Sequence, residues 1–168
     1  MLEKLFRKFL KQDAPPEAWK PSGYLGLHYD PALVQTLAHQ HRALSMLLVE
    51  ASSAAQLGSF DEVSHILEEF EIALVDHLRQ EREKLHPYLA EHIKGEDGDR
   101  VLREMYTHVA LIKHSVKRFL KRYCDAPLDA ESVAEFEQAI ELVSEEFSQE
   151  MEREEAIFYT LYLPPESY

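Results

Sequence analysis

Between Pro31 and Tyr162 the apolar residues recur at three- and four-residue spacing in four separate runs, and a glycine or proline closes each run. Such spacing belongs to helices that bury one face. The first run extends from about Pro31 to Leu57 and stops at Gly58. The second extends from Ser59 to about Ile93, with a kink expected near Pro87, and stops at Lys94-Gly95. The third starts in the segment GEDGD and ends near Cys124-Asp125, ahead of Pro127. The fourth, capped by Asp129 or Ser132, ends at Pro164-Pro165. Asp30-Pro31 reads as an N-cap followed by a first-turn proline, and Ser59/Glu62 and Ser132/Glu135 have capping-box spacing. Four long helices with short connections predict an all-α, up-down-up-down antiparallel four-helix bundle over residues 30–168. Residues 1–29 stand apart. They comprise an amphipathic segment (Leu2, Leu5, Phe6 and Phe9 against Lys4, Arg7, Lys8 and Lys11) and an irregular arm broken by Pro15, Pro16, Pro21, Gly23 and Gly26.

Each apolar stripe is interrupted by residues that do not belong in a core. In the first helix it reads Leu33, Leu37, His41, Leu44, Leu48, Ala51. In the second it passes through Val63, Ile66, Leu67, Phe70, Leu74, His77, Glu81, Leu85 and Tyr88. The third offers Val101, Met105, His108, Ile112, Val116 and Phe119, and the fourth Val133, Phe136, Ile140, Val143, Phe147, Glu150, Glu154 and Phe158. A buried imidazole or carboxylate costs several kcal/mol unless it finds a partner, and a metal ion suits both. In an antiparallel bundle His41, His77, Glu81, His108, Glu150 and Glu154 fall at one depth, roughly 14–24 Å from the same end at about 1.5 Å per residue. Six polar side chains are therefore expected to meet inside the bundle. His39, His65, His86, His92 and His114 are expected at the surface or at helix ends, His28 in a loop or folded over the bundle end, and Glu83, Glu152 and Glu155 on the solvated face.

Bulk properties exclude several classes of partner. The net charge of −13 disfavours a nucleic-acid backbone. No run of about 18 apolar residues is present to span a membrane. The single cysteine, Cys124, provides neither a disulfide nor a thiolate metal site, and the cytoplasm is the expected compartment. The amphipathic segment at the N-terminus fits docking along the bundle or homodimer formation better than an anionic membrane, which the acidic bundle would oppose.

The segments HQHR around His41, HLRQE followed by LHP from His77 to Pro87, the histidine at position 108 and EMEREEAIFY around Glu150 and Glu154 resemble the hemerythrin / HHE cation-binding domain family. The resemblance covers roughly Pro31 to Tyr162. It implies a non-haem di-metal centre, with iron as the expected cofactor and O2 as a possible ligand. It also identifies two departures. Glu150 stands where the family's last helix carries a histidine, and Glu104 occupies the position one turn before His108 where oxygen-carrying members have a second one.

With Glu81 and Glu154 bridging and His41, His77, His108 and Glu150 terminal, three imidazoles would face three carboxylates. More oxygen donors make a harder site that stabilises oxidised ions and admits manganese or zinc as well as iron. The expected function is sensing of oxygen, redox state or iron supply, or metal handling, rather than oxygen carriage. The alternative is a metal-free bundle in which these groups pair with one another and the surface serves as an interaction or regulatory module. Oxidase or peroxidase activity would need an open coordination position, which sequence does not reveal.

Overall fold

A computed structural model of the protein describes residues 27–124 and 128–168. The expectations for the amphipathic N-terminal segment and for the arm as far as Gly26 lie outside the described residues. Helix α1 spans Leu33–Gln56 and α2 Phe60–Gln80. The α2 helix runs without a break through a π-helical turn, Glu81–Leu85, into α3, His86–His92. Helix α4 spans Gly95–Cys124. Helix α5, Val133–Arg153, continues through a second π turn, Glu154–Phe158, into a 3₁₀ turn, Tyr159–Leu161. α1 packs on α2 and α5, and α4 packs on the same two helices. Contacts between α4 and α5 run in opposite senses, from Ser115 with Glu146 to His108 with Glu150. The result is the antiparallel four-helix bundle expected from the stripes.

The punctuation residues act largely as their chemistry dictates. Gly58 has φ +74°, a conformation that disfavours a Cβ, and it closes α1. Its N–H bonds to Ala55 O at 3.0 Å and that of Ser59 to Ala54 O at 2.9 Å, the paired bonds of a Schellman stop. Gly98 is required for a different reason. A Cβ there would lie 2.6 Å from Ile93 Cγ2, so the α3–α4 connection closes only over a bare backbone. The serines of the two capping-box patterns differ from expectation, since neither Ser59 nor Ser132 makes a side-chain cap bond, while of the two candidates at α5 it is Asp129 that caps. Its carboxylate accepts the backbone N–H groups of Glu131 at 3.1 Å and Ser132 at 2.9 Å.

Two apolar cores fill the bundle. The larger holds Leu44, Leu48, Leu67, Phe70, Leu74, Val116, Phe136, Ile140 and Phe147 among others. The smaller, at the end where the chain enters α1, holds Leu33, Leu37, Leu85, Tyr88, Leu89, Met105, Phe158, Tyr159 and Tyr162. Tyr29 stacks on Tyr162 at 5.1 Å, and the Tyr162 hydroxyl accepts the Asp30 N–H at 2.9 Å, so this end is closed by aromatic rings. Helix α4 buries Met105, Ile112, Val116 and Phe119 of the expected stripe but not Val101 or His108. Val109, Lys113 and Leu120 are buried beside them, on the side of the helix away from His108. His108 is consequently rotated to the edge of the interface and is about one-third exposed, at 32%.

Candidate metal centre

Between the two cores lies a polar layer. His41 sits between Leu37 and Leu44 in α1, His77 lies in the last turn of α2, Glu81 opens the first π turn and Glu154 opens the second. None of the four is more than 3% exposed. Each contributes one ligand atom to a group whose members all lie within 4.8 Å of one another. His41 Nε2 is 3.2 Å from His77 Nε2 and 3.3 Å from Glu154 Oε2, and His77 Nε2 is 3.6 Å from Glu81 Oε1.

The outer nitrogens of both rings are engaged. His41 Nδ1 lies 2.8 Å from Glu155 Oε1 and His77 Nδ1 lies 3.0 Å from the amide oxygen of Gln40. Both oxygens are acceptors, so each Nδ1 carries the proton and donates it. In the neutral rings both Nε2 atoms therefore turn bare lone pairs toward the same small volume. A ring nitrogen oriented through its partner in this way is how a metal-binding histidine is normally held. In the same cluster Glu81 Oε2 and Glu154 Oε2 are buried without a hydrogen-bond partner, as is Glu150 Oε1 one turn before Glu154. Each such oxygen costs about 1–3 kcal/mol. Facing acceptors repel, and a cation placed among them satisfies all of them. The donor set fits a divalent or trivalent metal with mixed nitrogen and oxygen preference, as iron, manganese and zinc have.

Burial depresses the charge of the metal-free layer. It lowers His77 to about 3, helped by the neighbouring His41 and His86. It also lowers His41, against the opposing pull of Glu155. The same desolvation pushes Glu81 up to about 7 despite the Tyr159 hydroxyl and Lys113. Glu154 is raised well above the usual carboxylate range by burial and then by the charges of Glu81 and Glu150. Near neutral pH the imidazoles are unprotonated, while Glu81 is only partly ionised and Glu154 still favours its proton, which a metal would have to displace.

Of the six residues expected to converge, the structure brings His41, His77, Glu81 and Glu154 into one cluster. His108 and Glu150 form a satellite with Arg153 instead. The Arg153 guanidinium donates to Glu150 Oε2 at 3.1 Å and contacts the His108 ring, and His108 Nδ1 is 3.5 Å from Glu150 Oε2. Facing the cluster from α4 is Lys113, which is only 7% exposed. Its charge favours the ionised forms of Glu81 and Glu154. One surface assignment is corrected: His86 is buried, with its ring edge-on to Tyr106 at 5.4 Å. Glu155 stays half-exposed, as expected, yet also holds His41 in place.

Gln40, Lys113, Glu155 and Tyr159 escaped the sequence reading. Gln40 and Glu155 each adjoin a ligand in sequence and lie off the apolar stripe, so periodicity assigns them to solvent. Lys113 does fall on a helical stripe with Met105, Val109 and Val116, a signal that was present in the sequence. Tyr159 depends on the π turn. Five residues after Glu154 it would lie about 140° round an α-helix, but the wider turn, closed by the Tyr159 N–H on Glu154 O, brings it back. The first π turn has a local cause: Pro87 lacks an N–H and its ring crowds the carbonyl four residues earlier, which a widened turn relieves. Nothing in the local sequence explains the second.

Residues 32–162 match the Hemerythrin HHE cation binding domain. Neither a curated protein nor a solved structure matches the chain. The matched span opens beside the first turn of α1, closes at Tyr162 and so takes in the whole polar layer with both cores around it; the chain belongs to the hemerythrin HHE cation-binding domain family.

Proposed function

We propose that this protein holds a non-haem iron centre in its polar layer and uses it for oxygen, redox or iron sensing or for metal handling, not for oxygen carriage. The observation that carries the proposal is the pair of Nε2 atoms, 3.2 Å apart, in rings held through Nδ1 by Glu155 and Gln40, beside carboxylate oxygens that have no hydrogen-bond partner. His41, His77, Glu81 and Glu154 are the proposed ligands of the first ion. His108 and Glu150 are the proposed ligands of the second ion of a di-iron centre, once Arg153 swings outward. Equal numbers of imidazoles and carboxylates in the cluster favour the oxidised metal, which argues against reversible carriage. The lone cysteine fits a reducing compartment such as the cytoplasm.

Lys113 favours a second reading. A buried cation beside the carboxylates offsets part of the charge a metal would neutralise. In that case the bundle is metal-free and acts as an interaction or regulatory module. Anaerobic ferrous loading of untagged protein, followed by metal analysis, separates the two. Two equivalents of iron support the di-iron centre, and one confines it to the four-residue cluster. Protein that remains metal-free leaves the second reading. His77→Ala abolishes loading under the first reading and only lowers stability under the second.

A further inference from the structure

The Tyr159 hydroxyl lies inside the cluster. It donates to Glu81 Oε1 at 3.0 Å, and its oxygen is also 3.0 Å from His41 Nε2. The ring is 7% exposed and stacks on His41 at a centroid distance of 5.4 Å and an interplanar angle of 20°. It thus has little freedom to point elsewhere. Tyr88 and Tyr162, although buried nearby, turn their hydroxyls to the Leu163 carbonyl and the Asp30 N–H. Of the described tyrosines, only Tyr159 is hydrogen-bonded to residues of the cluster. The π turn that begins at Glu154 delivers it there, so one segment presents a carboxylate and a phenol to the same centre.

We propose that Tyr159 is itself a metal ligand, binding ferric iron through its phenolate oxygen between His41 and Glu81. This rests on the metal-centre reading. A buried tyrosine whose oxygen is within hydrogen-bonding distance of two proposed ligands occupies the space a shared ion would take. An anionic oxygen donor also suits ferric iron. The exchange balances simply: the phenol O–H bond breaks, its proton leaves to solvent, and the oxygen lone pair forms the bond to the metal without any change in oxidation state. The ligand set of the first ion becomes two imidazoles, two carboxylates and one phenolate.

The experiment compares wild type with Tyr159→Phe after identical ferrous loading and air oxidation, with iron content measured in both. Wild type should show a visible phenolate-to-iron charge-transfer band and phenolate modes in resonance Raman that shift when the protein carries ring-deuterated tyrosine. Tyr159→Phe should retain iron, lose both signatures and release about one proton fewer per ferric ion bound. Wild type that binds iron with no tyrosine-sensitive mode overturns the assignment while leaving the metal-centre reading intact. So does an identical spectrum in the two proteins. Failure of both proteins to bind iron refutes the centre and the ligand together. If Tyr159→Phe does not fold, the isotope shift in wild type decides the matter alone.

Discussion

Replacing Glu81 with glutamine should stabilise the metal-free protein, by an amount that grows from pH 4.5 to about 7 and is level above that. Burial raises the Glu81 carboxyl from an ordinary 4.5 to about 7. Below pH 4.5 the native and unfolded chains both hold the proton. Between 4.5 and about 7 the native chain keeps a proton that the unfolded chain has lost. Each pH unit of that interval therefore removes about 1.4 kcal/mol of stability. By pH 8 the loss is complete and amounts to about 3 kcal/mol. A glutamine preserves the acceptor for the Tyr159 hydroxyl but has no proton to lose, so Glu81→Gln recovers that amount at pH 8 and almost nothing at pH 4.5. For a chain of this size the gain corresponds to a rise in Tm of about 6–12 °C at the higher pH. The assay is thermal unfolding of chelator-treated wild type and variant across pH 4.5–8, followed by circular dichroism. The burial-driven shifts of His41, His77 and His86 are common to both proteins and largely cancel in the difference. A Tm difference that is the same at both ends of the range, or a variant less stable at pH 8, would refute the claim that a desolvated carboxylate weakens this layer. The same variant should load iron poorly, the usual trade between a stable core and a functional one.

Glu155→Gln leaves the fold and Tm nearly unchanged, because that side chain is 40% exposed, but it weakens the orientation of His41 and should lower metal affinity about 10–100-fold in chelator competition. Manganese(II), titrated between pH 6 and 7 with the free ion followed by EPR, should bind about fivefold more tightly at the higher pH from loss of the Glu81 proton alone, and more tightly still if Glu154 also gives one up. A flat profile would mean that Glu81 is not a ligand. Phe70→Ala opens a cavity in the larger core, where Phe70 is fully buried edge-on to Phe147 at 5.8 Å. It should cost about 3–5 kcal/mol in denaturant unfolding yet leave metal stoichiometry unaltered, since the polar layer lies outside that core.

The bundle was legible in the sequence because helical burial repeats. Leu33 through Ala51, Val63 through Tyr88 and Phe136 through Phe158 follow one face, and any residue on that face inherits its neighbours' burial. His41, His77, Glu81 and Glu154 could be located for the same reason, each being a polar residue in a row of apolar ones. Rotation of α4 by part of a turn could not be read this way. Met105, Ile112 and Val116 are compatible with either His108 or Val109 and Lys113 on the inner face, and only packing against α2 and α5 selects the second. Arg153 then takes up the His108 and Glu150 side chains that depth alone had assigned to the centre.

The sequence alone determined that four helices would form, where each would stop, and that imidazoles and carboxylates would share one level of the interior. Periodicity and glycine or proline stops are local properties of the chain. Only the tertiary structure decided which of those groups touch. It turned Tyr159 inward through a π turn, placed Glu155 and Gln40 behind the two histidines and set Lys113 beside the carboxylates. Those choices depend on helix rotation and helical pitch. A change of one residue per turn or part of a turn in either moves a side chain between solvent and core without altering a single element.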